Sequence, residues 1–263
     1  IDPGSLPKTQ FINRIVKYEP HQQGVYRQKN YLQANFKINA DGWNSNHDQY
    51  LTNITSNKRL VAIIGDSFVE GFHVDFNKSF AEILETNLGG KNFQVYRFGI
   101  SGAPMSQYLH ILRQEVVQYH PHLIIVLLSY NDFDESYLEA SNTFKGAFLK
   151  LELDESGNVI GELPPSGLKK KWYTLIKNYS ATWRYLSLRQ KVRFQFIKNA
   201  ILGKKEVWDG LEQKTNSDPV PTTVKGATEN PRDINGETVA NYIFEKMKTF
   251  SDNQEAELII VMD

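Results

Sequence analysis

The stretch Leu60-Val-Ala-Ile-Ile-Gly-Asp-Ser-Phe68 decides the fold. A short continuous apolar run that ends in glycine is typical of a central parallel strand, which is buried on both faces. Three later apolar runs indicate further strands: Phe93–Phe98, Leu123–Ser129 and Glu257–Met262. Strands that alternate with helical patterns imply βαβ units. The sequence therefore predicts an α/β protein, a three-layer α/β/α sandwich with a central parallel, flavodoxin-like sheet and a long helical insertion.

Helices are predicted between these strands. The first begins at the capping box Ser79–Glu82, and its apolar face consists of Phe80, Ile83, Leu84 and Leu88. A second helix is expected from about Ser106 to Tyr119, and a third over Val239–Phe250. These helices are the predicted outer layers of the sandwich.

The chain divides into four segments by pattern. Residues 1–58 are polar and irregular and are interpreted as an N-terminal wrapping segment. Residues 59–132 form the first part of the α/β domain, and 236–263 continue it. The insertion 133–235 contains a predicted hairpin (Phe148–Leu153 with Val159–Ile160), basic helices at 168–205 and a flexible loop at 209–231.

Composition excludes several kinds of site. The 263 residues include 30 Lys+Arg and 30 Asp+Glu, so zero net charge gives no general attraction to nucleic acid. The chain has no cysteine, which excludes disulfides, thiolate metal sites and a cysteine nucleophile. No apolar run approaches the roughly 20 residues of a transmembrane helix. Phosphate-loop, zinc-ligand and dinucleotide patterns are absent from the sequence, so neither a metal nor an organic cofactor is predicted.

Three loops meet where the chemistry is expected. Ligands of open parallel sheets bind at the carboxyl ends of the strands. There the first strand leads into Ser67, the second into Gly99–Gly102, and the third into Asn131 and Asp132. A serine on a tight strand-to-helix turn is an exposed nucleophile near a helix N-terminus. The sequence thus predicts an acyl-transfer site at this edge.

An acyl-transfer site also needs N–H donors for the developing oxyanion. The predicted donors are the backbone N–H of Ser67, the backbone N–H of Gly102 and the side-chain amide of Asn131. Gly102 and Asn131 can also be interpreted as structural residues without a role in catalysis. Gly102 is alternatively a turn glycine, with Gly99 as the rival donor, and Asn131 is alternatively a turn residue that caps the strand end.

These motifs resemble the GDSL-type (SGNH) serine hydrolases. The family places its nucleophile in a Gly-Asp-Ser block after the first strand and its oxyanion donors after the next two, as in Ala62–Phe68, Phe98–Gly102 and Leu127–Asp132. Asn39-Ala-Asp-Gly-Trp43 resembles the lead-in of bacterial members. The resemblance covers residues 39–132 well and 236–262 plausibly, and it implies Ser67 as nucleophile with Gly102 and Asn131 as oxyanion donors. Bacterial relatives with this lead-in often lie in the cell envelope, so the resemblance implies a cell-envelope or extracytoplasmic location, with a cytoplasmic one as the alternative.

Some positions depart from the family pattern. Ser129 replaces a usual glycine, and Arg97 a common asparagine. The family's catalytic Asp-x-x-His follows the last strand, whereas no histidine follows His122 here. We therefore expect the C-terminus to be truncated before that block. His73, six residues after Ser67, is a candidate neighbour of the site, and an indirect supporting role or a surface role is favoured over a direct one.

Two further candidate neighbours are carboxylates. By resemblance Asp66 is a structural neighbour of the nucleophile, and Asp132 is interpreted as a residue that fixes its loop. Neither is predicted to act as the base.

Residues 168–205 contain eleven Lys or Arg and no Asp or Glu. This stretch is predicted either to contact a membrane or an anionic polymer, or to form an amphipathic helix pair with a solvated charged face, and the second interpretation is favoured. The leading functional hypothesis is an esterase, lipase-like enzyme or carbohydrate deacetylase acting on a small-molecule, lipid or carbohydrate ester. The rivals are an O-acyltransferase to a carbohydrate on the same site and a non-catalytic binding module with the same fold.

Overall fold

The computed structural model describes residues 5–28, 31–54, 58–89, 92–129, 132–137, 146–168, 180–184 and 231–262. Within these ranges the strands are β1 (Thr9–Ile12), β2 (Ile15–Tyr18), β3 (Gln23–Gln28), β4 (Leu32–Lys37), β5 (Arg59–Gly65), β6 (Phe93–Gly99), β7 (Leu123–Leu128), β8 (Lys150–Leu153), β9 (Val159–Leu163) and β10 (Glu257–Met262). The α-helices are α1 (Ser67–Glu70), α2 (Phe80–Asn87), α3 (Met105–Gln114), α4 (Asp132–Glu135), α5 (Ala181–Arg184) and α6 (Pro231–Asn253).

The central sheet is parallel, with strand order β10-β7-β5-β6. Its four strands are those predicted from the apolar runs, with ends that differ by at most one residue. β5 is buried from Leu60 to Gly65, as expected of a strand with neighbours on both sides and layers on both faces. The predicted sheet is confirmed.

Alternate side chains of β5 reach opposite faces of this sheet. Val61 and Ile63 pack in one cluster with Val69 of α1 and Ala81 of α2. Leu60, Ala62 and Ile64 belong to a larger cluster that includes apolar residues of α3 and α6: Tyr108, Leu109, Leu112, Val239, Ile243 and Met247. Each fully buried aliphatic side chain contributes about 1.5–3 kcal/mol to folding. Helices therefore cover both faces, and the three-layer α/β/α architecture is confirmed.

The helices differ in detail from the predicted ones. In α2 the buried residues are Ala81 and Glu82, whereas Phe80 and Ile83 are 41% and 51% exposed. The predicted apolar face of this helix was wrong for Phe80, Ile83 and Leu88. The physical reason lies on β6, where buried Arg97 faces the same layer and Glu82 turns toward it, with Nε and Oε1 3.7 Å apart.

Helices α3 and α6 lie where helices were predicted, but their first and last residues differ from the prediction. α3 stops at Gln114, and a 3-10 turn over Val116–Tyr119 replaces its predicted last turn. Glu115, at the break, has its carboxylate held by Lys17 Nζ at 2.7 Å. α6 is longer than predicted because it begins at Pro231, a favoured first residue of a helix.

The N-terminal segment is regular rather than irregular, which corrects the prediction for residues 1–58. β1 pairs with β2 and β3 pairs with β4, each as an antiparallel hairpin. Their strands are short and partly polar, so they lack the apolar runs that marked β5 and β7. Ile15, Phe36 and Trp43 from this segment lie in the same core cluster as β5.

The start of the insertion has the predicted hairpin. β8 pairs with β9 antiparallel, and Gly157 N–H donates to Asp154 O at 3.0 Å in the turn between them. Of the predicted basic helices at 168–205, Leu168 and residues 180–184 are described, and α5 occupies four of them. The rest of that stretch and residues 209–230 of the predicted loop 209–231 lie outside the described residues, and the last residue of that loop, Pro231, is instead the first residue of α6. Among the helices that are described, none has the length and hydropathy of a membrane span.

Candidate active site

The ends of β5 and β6 lie side by side at the carboxyl edge of the sheet. Gly65 and Gly99 are register partners, and the N–H of Ile100 donates to the carbonyl of Gly65 at 3.3 Å. This bond joins the turn that carries Ser67 to the loop that carries Gly102. Two of the three predicted loops are thus in direct contact.

Ser67 is the first residue of α1 and is half-buried. Asp66 caps this helix: its Oδ1 accepts from the N–H of Phe68 at 2.9 Å. Its Oδ2 accepts from Ser67 Oγ at 3.4 Å, which is a long and weak hydrogen bond. Asp66 therefore orients the turn, and the Ser67 hydroxyl remains next to a helix N-terminus, where the backbone dipoles favour negative charge.

The loop after β6 approaches α1 closely. A side-chain carbon at Gly99 would overlap the backbone nitrogen of Glu70 and lie 2.5 Å from the carbonyl carbon of Val69. Glycine is required there by contact with backbone, which cannot move aside as a flexible side chain can. Gly102 has φ +72°, a left-handed conformation that glycine adopts without strain. Gly99 is thus a packing glycine, and Gly102 sits at the turn of the loop.

Asp132 closes the loop after β7. Its Oδ2 accepts from the N–H of Ser129 at 2.8 Å and from the hydroxyl of Tyr108 at 2.9 Å. Burial raises the pKa of Asp132 to about 7, and the nearby carboxylate of Asp66 adds to the rise. Asp132 fixes this loop through both bonds. Asn131, the predicted side-chain oxyanion donor, lies outside the described residues.

Six histidines are described, and none hydrogen-bonds Ser67 Oγ in the part of the chain that the structure covers. His73 is exposed and its ring meets Tyr26 edge-on, with 5.9 Å between ring centroids. His122 lies at the opposite edge of the sheet, where its Nδ1 accepts from the N–H of Leu60 at 3.2 Å. His47 hydrogen-bonds to the carboxylate of Glu85, and His110 hydrogen-bonds to the carbonyl of Arg14.

Sequence reasoning missed Glu70, and it noted Arg97 only as a departure from the family pattern without predicting its burial. Glu70, the last residue of α1, is 2% exposed, and burial raises its pKa to about 7. Arg97 is 1% exposed, and its guanidinium donates to the carbonyls of Glu70 and Phe76 at 3.4 and 3.0 Å. Two features of the sequence could have indicated these buried residues. Glu70 follows Ser67 by three residues, and Arg97 is a charged residue within a strand of mainly apolar residues.

Comparison of the sequence with known protein families gives one match. Residues 61–212, more than half of the chain, match the family model of the GDSL-like lipase/acylhydrolases. No curated protein is a significant match.

Among solved structures, the chain is similar to AlinE4, an SGNH-hydrolase family esterase, at 28% identity over 30% of this chain and 44% of that one, with a TM-score of 0.27. The aligned part is therefore less than half of that esterase. An aspartate-to-alanine mutant of AlinE4 aligns over 78% of this chain and 77% of its own at 14% identity and TM-score 0.31. BT4096, a gut microbial diltiazem-metabolizing enzyme, aligns over 81% and 38% at 14% identity and TM-score 0.29. On the family match over residues 61–212, the chain belongs to the GDSL-like lipase/acylhydrolase family, a group of ester-hydrolysing enzymes.

Proposed function

We propose that this chain carries a serine hydrolase site for a small carboxylic ester, with Ser67 as the nucleophile. The observation that supports this most is the position of Ser67: it begins α1 at the carboxyl edge of the sheet, half-buried and in contact with the capping carboxylate of Asp66. The neighbouring loop is hydrogen-bonded to the same turn through Ile100 and Gly65. A nucleophile and a backbone-rich loop in contact are what acyl transfer needs.

In the proposed reaction Ser67 Oγ attacks the ester carbonyl carbon and its proton passes to a general base. The backbone N–H groups of Ser67 and Gly102 and the amide of Asn131 stabilise the oxyanion. Collapse of this intermediate breaks the bond to the alcohol, which leaves with a proton, and an acyl-enzyme forms on Ser67. Water then attacks the acyl group, releases the acid and restores the hydroxyl. The base is not assigned, because no described histidine bonds to Ser67 Oγ.

Labelling with a fluorophosphonate probe tests the nucleophile. The folded full-length protein is expected to gain one probe adduct on the peptide that contains Ser67, and its Ser67→Ala variant is expected to lose it. Ser156→Ala, in the exposed turn between β8 and β9, is the matched control and should label like the wild type. A folded full-length wild type without an adduct, or a Ser67→Ala variant that still labels, would overturn the proposal.

The same protein with p-nitrophenyl acetate measures turnover. Asn131→Ala is expected to lower kcat by about 10²–10³, the usual effect of removing one oxyanion donor. Product analysis of the p-nitrophenyl acetate reaction, with and without an added sugar, separates hydrolysis from transfer. If acetylated sugar is the main product, the proposed activity is an acyltransferase on the same site and not a hydrolase.

A further inference from the structure

The carboxyl group of Glu70 connects α1 with the loop after β6 and with strand β2. The N–H of Ser101 donates to its Oε1 at 3.0 Å, and the Ser101 hydroxyl bonds to its Oε2. The hydroxyl of Tyr18, from β2, donates to Oε1 as well. Glu70 itself ends the one-turn helix that Ser67 begins. Both carboxyl oxygens are therefore bonded, and two of the three bonds go to the loop after β6.

These bonds fix the distance between the two loops of the site. Ser101 is the residue before Gly102, so bonds to the N–H and hydroxyl of Ser101 restrain its Cα, which is one end of the peptide unit that carries the Gly102 N–H. At the other end of the same loop, Gly99 packs on the Glu70 backbone nitrogen. The loop is thus held to α1 at two points, once by packing and once by the Glu70 carboxyl.

A glutamate is a costly choice for packing alone. Removing a carboxyl group from water is unfavourable unless hydrogen bonds replace the lost hydration. An apolar side chain would fill the same space without that cost, but it would leave the N–H of Ser101 and the hydroxyl of Tyr18 without this acceptor. The carboxyl group therefore serves two bonds to the loop and one to the buried Tyr18.

We propose that Glu70 is a positioning residue of the ester-hydrolysing site, which holds the Gly102 peptide in place relative to Ser67 through its bonds to Ser101. This inference rests on the proposed function and adds to it a residue that does not touch the substrate. Misplacement of an oxyanion donor affects the transition state more than substrate binding. We therefore expect loss of the Glu70 carboxyl group to lower kcat and to leave KM nearly unchanged.

Two substitutions at Glu70 separate positioning from packing. Glu70→Leu removes both acceptors, and we expect kcat for p-nitrophenyl acetate to fall at least tenfold while KM stays within twofold. Glu70→Gln is expected to keep kcat within threefold, because its amide oxygen still accepts from Ser101 and Tyr18 and its amide nitrogen donates to the Ser101 hydroxyl. Hydrogen–deuterium exchange of the peptide spanning residues 99–104 should rise in Glu70→Leu and stay unchanged in Glu70→Gln.

The matched control is Glu115→Leu, which also removes a buried carboxylate, but at the far end of α3 where it binds Lys17 and Trp43. Its stability should fall while kcat and exchange of 99–104 stay as in the wild type. If Glu70→Leu does not fold, Ser101→Ala takes its place, with an expected fall in kcat of at least threefold at unchanged KM.

The outcomes distinguish this inference from the proposed function. An active wild type that loses all activity in Ser67→Ala, together with wild-type kcat in a folded Glu70→Leu or in Ser101→Ala, overturns the inference and leaves the function standing. Equal losses of kcat in Glu70→Leu and Glu115→Leu also overturn it, because they indicate general destabilisation. A folded full-length wild type that neither labels nor turns over ester overturns both.

Discussion

Replacing Glu70 by glutamine is expected to change how the free energy of unfolding depends on pH. Burial raises the pKa of Glu70 from 4.5 to about 7, with a smaller contribution from the nearby Asp66. The folded state therefore binds this proton more tightly than the unfolded chain does. The stabilising contribution of Glu70 is fully present below pH 4.5 and is lost as the pH rises through about 7.

The size of the effect follows from the two pKa values. A tenfold change in proton affinity corresponds to about 1.4 kcal/mol, so a rise from 4.5 to about 7 corresponds to roughly 3 kcal/mol. Glutamine has the shape and hydrogen bonds of the protonated acid and does not titrate. We expect Glu70→Gln to match the wild type near pH 4.5 and to be more stable by about 3 kcal/mol at pH 8.

Urea unfolding followed by tryptophan fluorescence measures this difference, since Trp43 is fully buried and reports on unfolding of the core. Wild type and Glu70→Gln are compared at pH 4.5, 6 and 8. The buried Asp132, whose pKa is also raised to about 7, titrates in both proteins and cancels in the comparison. A difference in stability that stays constant over this pH range would refute the reasoning.

Two further predictions concern packing and a buried ion pair. Gly99→Ala should destabilise the fold by about 1–3 kcal/mol or more, because its methyl group meets backbone atoms of α1; Gly161→Ala, whose nearest neighbour lies at 3.5 Å, is the control in the same denaturation assay. Lys17→Met should cost about 3–5 kcal/mol, because it leaves the Glu115 carboxylate, 2% exposed, without its cation. A loss below 1 kcal/mol would contradict the second prediction, and equal losses in the two glycine variants would contradict the first.

The inner strands of the central sheet were predictable because a strand covered on both faces needs a continuous apolar run, as in β5 and β7. β10 contains such a run as well, although its side chains from Ile259 to Met262 are exposed in this structure. The β8–β9 hairpin was predictable for a different reason, since its turn contains Asp154 and Gly157, residue types that favour tight turns. These signals are local and do not depend on what packs against the segment.

The remaining features depend on partners distant in sequence. The apolar positions of α2 predicted the wrong face, because Arg97 on β6 draws Glu82 inward and leaves Ile83 at the surface. The strands β1 to β4 are short and partly polar, so their pattern resembles that of a loop. At the site, the motifs indicated Ser67 and the loop glycines, but not that a glutamate would be buried between them.

The polar surroundings of Ser67 have a physical cause in the length of α1. A helix of one turn closes few internal hydrogen bonds, and its last carbonyls need donors from elsewhere. The carbonyl of Glu70 obtains them from Asn44 Nδ2 at 2.9 Å and from Arg97 Nη1 at 3.4 Å. Arg97 comes from β6 and Asn44 from the N-terminal segment, so the turn that presents the nucleophile is held by parts of the chain on either side of it. Because Tyr18 reaches the Glu70 carboxyl from the same N-terminal segment, that segment supports the proposed site as well as the core.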